Sequence, residues 1–175
     1  MNGTLYVSDY ANHRIMSFVI GTNNGTIVIG GTGSGVSDTQ LCNPVGLQFD
    51  VISNSLIIAN YLAHNVVRYV LDATHWTLPA GNINGFQGLT STYFNRPIET
   101  ILDPMGNMYV ADRNNHRIQL FYIDQFNGST IVGTTSVSGT NASLLHTPWS
   151  VKLDNQLNLY VVDTANHRVQ KFLRY

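Results

Sequence analysis

The densest chemistry in the chain lies in the phrase "DRNNHRIQLF" (112–121), which sets Asp112, Asn115, His116 and Arg117 at the mouth of an alternating apolar run. An acid, an amide, an imidazole and a guanidinium so close together have three uses: acid–base catalysis, a share of a metal site, or a hydrogen-bonded piece of structure. The phrase is not alone. "DYANHRIMSF" (9–18) repeats it with Asp9, Asn12, His13 and Arg14, and "DTANHRVQKF" (163–172) with Asp163, Asn166, His167 and Arg168. A weaker copy surrounds His64. Catalysis needs one asymmetric constellation, so four equivalent copies point to a role that every copy shares, such as bonding one turn to its neighbour. A metal site is disfavoured for the same reason, because histidines on separate repeats are too far apart to share one ion.

The elements that position these residues follow from the spacing. His13, His64, His116 and His167 are separated by 51, 52 and 51 residues, a period that predicts a propeller or a solenoid. Around them recur "LYVSDYANHRIMSF" (5–18), "LIIANYLAHNVVRY" (56–69), "MYVADRNNHRIQLF" (108–121) and "LYVVDTANHRVQKF" (159–172). Three copies are preceded by "PVGLQFD" (44–50), "PIETILD" (97–103) or "PWSVKLD" (148–154), and short β-rich runs ending in Gly follow at 25–31, 76–81 and 129–133. Each unit thus holds three or four runs of β-branched and aromatic residues, separated by Gly, Asn, Asp and Pro. None is long enough, or periodic enough at 3.6 residues, to be a helix. Four short antiparallel strands per unit, termed a to d, define a propeller blade. The sequence therefore predicts an all-β propeller of four blades at about 1–43, 44–96, 97–147 and 148–175, with the Asp-Asn-His-Arg motif in the turn between strands b and c.

These residues resemble the NHL repeat family, named for an Asn-His-Leu triplet that stands here as Asn12-His13-Arg14, Asn115-His116-Arg117 and Asn166-His167-Arg168. The resemblance covers nearly the whole chain and implies an NHL-type β-propeller. The second copy departs from it: Asn60 replaces the acid, Ala63 the Asn and Asn65 the Arg, so the network is expected to be weakest there. The first blade begins at strand b and the last stops at strand c, which reads as incomplete first and last blades and as a segment of a six-bladed ring, the number such propellers usually have. Exposed blade edges at both ends would favour self-association.

Composition narrows the function classes. Charged residues make up 11% of the 175, well below the roughly 25% typical of soluble domains, and the net charge of -1 supplies no field for polyanions. RNA is disfavoured as a partner, although the resemblance implies that some related propellers bind it. The lone Cys42 allows neither a disulfide within the chain nor a cysteine zinc site. No apolar stretch approaches 18 residues, and Met1 is followed by Asn-Gly-Thr, so neither a membrane span nor a signal peptide is predicted. Sequons at Asn2, Asn24, Asn127 and Asn141 are about as frequent as chance predicts, and the compartment stays open.

Ligand sites on a propeller are made by residues that differ between blades. In strand a the position after Pro reads Val45, Ile98 and Trp149, the next Gly46, Glu99 and Ser150, and two further on Gln48, Ile101 and Lys152. Glu99 and Lys152 are candidates because strand a lies nearest the axis, and facing channel water is their plain alternative. The residue after the motif acid reads Tyr10, Tyr61, Arg113 and Thr164. With Trp149, two tyrosines and an arginine on one rim have the composition of an interaction surface.

Enzyme readings are weaker. The repeat pattern resembles the lyase half of peptide-amidating enzymes, which implies a zinc ion on three histidines. Only His75 and His146 lie outside the repeat, and they belong to different blades. No Gly-x-Ser-x-Gly elbow is present. The reading leans away from catalysis: a scaffold without cofactor or metal that binds a protein or peptide through Tyr10, Tyr61, Arg113, Trp149, Glu99 and Lys152 on its channel rim. The alternatives are a fragment of an amidating-lyase-like enzyme, or the substrate-binding propeller of a ubiquitin-ligase-type parent.

Overall fold

The computed structural model describes residues 3–174; Asn2, the first sequon, lies outside them. The described chain is all-β, in four antiparallel sheets. The first holds β1 (Thr4–Asp9), β2 (Arg14–Val19) and β3 (Gly25–Gly30). The second holds β4 (Pro44–Asp50), β5 (Ser55–Asn60), β6 (Asn65–Val70) and β7 (Thr77–Gly81), and the third β8 (Pro97–Leu102), β9 (Met108–Asp112), β10 (Arg117–Phe121) and β11 (Ser129–Gly133). The fourth holds β12 (Pro148–Leu153), β13 (Leu159–Asp163) and β14 (Arg168–Phe172). Every sheet is a meander in chain order, and the described sheets pack in series through their inner strands, β1 on β4, β4 on β8 and β8 on β12, as an open propeller arc.

The core lies between the sheets. Leu56 and Ile58 of β5 pack on Ile15 and Ile29 of the first blade, whereas Ile57 of the same strand faces Val110 and Met108 of the third. Buried on both faces, β5 reads as the continuous apolar run "SLIIAN", because successive side chains point to opposite sides. Between the third and fourth sheets, Ile98, Ala111 and Ile118 meet Leu145, Val151 and Val161. Each fully buried Ile or Leu contributes about 1.5–3 kcal/mol by leaving water. Strands β1 and β14 have one covered face each, so Leu5, Val7 and Val169 are exposed.

Strand d ends in glycine for a steric reason. Gly30 and Gly133 adopt φ of 83° and 82°, and a Cβ there would stand 2.3 and 2.2 Å from the carbonyl oxygens of His13 and His116. The outer strand thus closes directly on the backbone of the motif histidine. At the opposite ends of the blades, the last acid of strand a holds the a–b hairpin. Asp103 Oδ1 accepts the N–H groups of Met105 and Asn107 at 2.9 and 3.0 Å, and Asp154 does the same for Gln156 and Asn158 at 2.9 Å each.

Candidate functional site

In all four blades the b–c connection is a short 3₁₀ turn, at Tyr10–Asn12, Tyr61–Ala63, Arg113–Asn115 and Thr164–Asn166. The motif histidine closes each turn in the left-handed region, with φ of 53–57°, a conformation in which His is enriched among side-chain-bearing residues. Sequence reasoning gave the turn but not this geometry.

The motif acid and arginine hold the loop that enters the blade. In the third blade Asp112 Oδ1 accepts Asn95 N–H at 2.7 Å, while Oδ2 accepts Asn115 Nδ2 and Arg117 Nε at 2.8 Å each. The Nη atoms of Arg117 donate to the carbonyls of Leu89, Thr90 and Tyr93 at 2.8–3.0 Å and to Thr135 Oγ1 at 2.9 Å. Burial pushes the Asp112 carboxyl upward, and Arg117, Asn95 N–H and Asn115 pull against it. The fourth blade repeats the arrangement. Asp163 accepts His146 N–H at 2.6 Å and Asn166 Nδ2 and Arg168 Nε at 2.8 Å, and Arg168 reaches the carbonyls of Thr140, Asn141 and Leu144.

The histidine looks forward to the next blade. Asn43 N–H donates to His13 Nδ1, Arg96 N–H to His64 Nδ1 and Thr147 N–H to His116 Nδ1, each at 3.1 Å. An accepting Nδ1 is unprotonated, which fixes the neutral ring with its proton on Nε2. Consistent with this, burial and then the Arg96 charge hold His64 below its ordinary value, and burial, His146 and Arg113 do so for His116. The three donor residues precede strand a's proline at φ of 53°, 58° and 51°. That region is strained for Arg and more so for β-branched Thr, and the bond to the histidine restrains it at the blade junction.

The second blade has a thinner version. Asn60 Oδ1 accepts Cys42 N–H at 2.6 Å and Asn65 Nδ2 donates to Asn82 O at 3.1 Å, but no guanidinium clamps the loop, and Asn60 Nδ2 and Asn65 Oδ1 are buried without partners. In the first blade Asp9 bonds Asn12 at 2.9 Å and Arg14 at 2.8 Å in a half-exposed setting. In the first, third and fourth blades the motif acid is thus bonded to the Asn and Arg of its own copy.

The residues that vary between blades gather on the rim above this network. Tyr10 and Tyr61 lie with ring centroids 6.3 Å apart, Arg96 Cζ stands 5.6 Å from the Tyr61 centroid, and Arg113 Cζ stands 5.4 Å from that of Trp149. Arg96 was not among the residues singled out from sequence. Its signal is available: Asn43, Arg96 and Thr147 occupy one repeat position and differ in type. Below the rim, the inner strands enclose a cleft of about 680 Å³, lined by Ser8, Val45, Gly46, Ile98, Glu99 and Trp149 among others. Trp149 forms part of its mouth and is 47% exposed.

Glu99 and Lys152 come together, bonded through Oε1 and Nζ across the third and fourth blades. Glu99 Oε2 also accepts Val151 N–H at 3.0 Å, as Gln48 Oε1 accepts Leu102 N–H at 2.8 Å one blade earlier. These inner-strand side chains tie neighbouring blades together, and Glu99 also lines the cleft.

Among the described residues no three His, Cys, Asp or Glu side chains converge on one point. His146 packs edge-on against His116 at 5.5 Å, while His75 lies in the c–d loop before β7. The residues present do not fit the three-histidine zinc site of an amidating lyase. No helix among the described residues is long and apolar enough to cross a membrane.

Two stretches, 94–121 and 145–172, match the NHL repeat model. The chain carries NHL repeats, and its fold is that of an NHL-type β-propeller. No curated protein matches it. Among solved structures, it is similar to an auxiliary nutrient binding protein from Bacteroides thetaiotaomicron (19% identity, 98% of this chain and 45% of that one, TM-score 0.77). It is also similar to a gluconolactonase from Xanthomonas campestris (15% identity, 99% and 55%, TM-score 0.73) and to a streptogramin B lyase (11% identity, 98% and 48%, TM-score 0.65). The chain spans about half the length of these structures, and at such identities the likeness is one of fold.

Proposed function

We propose that the chain is a non-catalytic binding scaffold that engages a protein or peptide through the rim formed by Tyr10, Tyr61, Arg113 and Trp149 and the cleft beneath it, with Glu99 and Lys152 setting the cleft's charge. One observation carries this reading. The motif residues are consumed in holding blade-entry loops and blade junctions, whereas the blade-specific residues, exposed or half-exposed, are aromatic side chains and arginines on one rim, with Trp149 at the cleft mouth. Such side chains dominate binding energy at protein interfaces. The likeness to nutrient binding proteins agrees with a binding role but names no ligand.

The test uses peptides selected from a random displayed library on the purified chain. Trp149→Ala is expected to weaken them by about 2 kcal/mol, roughly thirtyfold in Kd, while the melting temperature stays unchanged. Equal affinity in Trp149→Ala refutes the rim.

A further inference from the structure

Resting on that reading, we infer that the rim selects an acidic peptide, its carboxylates held by Arg96 and Arg113 at the top of the third blade and an apolar residue set into the cleft. The two arginines are neighbours by register. Pro97 of β8 pairs with Asp112 of β9, so the preceding Arg96 and the following Arg113 flank the same strand end. From there the side chains splay apart, Arg96 over Tyr61 of the second blade and Arg113 over Trp149 of the fourth.

Neither guanidinium has a carboxylate partner among the described residues, which separates them from the motif arginines. Arg14, Arg117 and Arg168 are all paired with the acid of their own blade. Arg113 donates through one Nη to Asn114 Oδ1 at 2.9 Å, and its Nε is unpartnered. Arg96 is exposed and its side chain makes no hydrogen bond. Stacking on an aromatic ring holds a guanidinium in place without using its N–H groups, so those not bonded within the chain are available to a carboxylate.

The occupant follows from charge and from the ring faces. A nucleic acid strand asks for a track of cations along its phosphates and open aromatic faces for its bases. Among the described residues only Arg96 and Arg113 are rim cations without a carboxylate partner, and one face each of Tyr61 and Trp149 is taken by a guanidinium. Two anchored guanidiniums beside an apolar cleft fit a short segment bearing one or two carboxylates next to an apolar side chain. Val45, Ile98 and Trp149 supply the apolar wall, and Ser150 adjoins them.

The experiment sequences the selected peptides and measures their affinity for the wild type and for Arg96→Ala and Arg113→Ala, both at exposed or half-exposed positions whose melting temperatures serve as controls. Enrichment of Asp and Glu, with a roughly tenfold loss on their replacement by Asn and Gln and in each arginine variant, is the expected result. Selected peptides without acidic bias, lost in Trp149→Ala but indifferent to both arginine variants, overturn the inference and leave the binding rim standing. No selectable peptide, or peptides indifferent to Trp149→Ala, overturns both. Preferential binding of a uridine-rich oligonucleotide that displaces the peptide also overturns it.

Discussion

The same ion pair occurs in three blades at three depths, which makes the motif a graded experiment. Arg117 and Asp112 are 2% and 0% exposed, Arg168 and Asp163 29% and 0%, and Arg14 and Asp9 30% and 26%. The geometry is constant, with Nε to Oδ2 at 2.8 Å in all three, so any difference on mutation reports environment. Replacing Arg117 with Met keeps the aliphatic bulk and removes the charge. It leaves the Asp112 carboxylate buried without its cation and frees the carbonyls of Leu89, Thr90 and Tyr93 from their donors. Breaking a buried pair in this way costs about 3–5 kcal/mol. For a chain of this size, 1 kcal/mol shifts the melting temperature by about 2–4 °C, so Arg117→Met is expected to lower it by about 6–20 °C. Arg168→Met falls between, because its guanidinium is partly solvated, and Arg14→Met gives the smallest shift. The assay is thermal unfolding by circular dichroism, with urea unfolding as a check. Equal shifts in the three variants, or a stable Arg117→Met, would refute the claim that the motif acts as a buried clamp.

Other outcomes follow from the same geometry. His116→Ala removes the acceptor of the part-buried Thr147 N–H and is expected to lower the melting temperature by several degrees, given about 1 kcal/mol for the bond and the cost of leaving that N–H unpaired. The folded chain holds His64 and His116 below the ordinary value of 6.5, so the unfolded chain binds more protons beneath that pH. Their contribution is full above about 6.5 and is lost as pH falls through it towards the depressed values, and a double His64→Ala, His116→Ala variant should show a flatter melting temperature between pH 7 and 5. His64 there faces Arg96, and His116 faces His146, Arg113 and Asp163. Gly46→Ala places a Cβ 2.5 Å from Ile98 O and 2.7 Å from Glu99 Cα on the next inner strand, backbone that cannot yield locally, and is expected to cost about 1–3 kcal/mol by urea unfolding.

Much of the fold was legible because its signals are local. "PVGLQFD" and "SLIIAN" correspond to β4 and β5 residue for residue, since a proline start, a period-two run and turn residues coincide there. The 3₁₀ turn and the left-handed histidine were not legible, because the four residues between Asp112 and Arg117 are compatible with several turns. Arg96 escaped notice because its meaning lies in Tyr61, 35 positions away and one blade over. Glu99 and Lys152 were each read as facing the channel; their bond to one another depends on how β8 and β12 lie side by side, which a repeat alignment does not encode.

The central claim is that the shared motif holds the blades and the variable rim binds. Its most direct measurement is amide hydrogen exchange on the chain with and without a saturating selected peptide. Protection is predicted in 7–12, 44–47, 61–64, 95–99, 113–116 and 148–150, the segments that form the rim and the cleft mouth. Protection confined to the opposite ends of the blades, around exposed Ile52, Met105, Ile123 and Phe126, would contradict it.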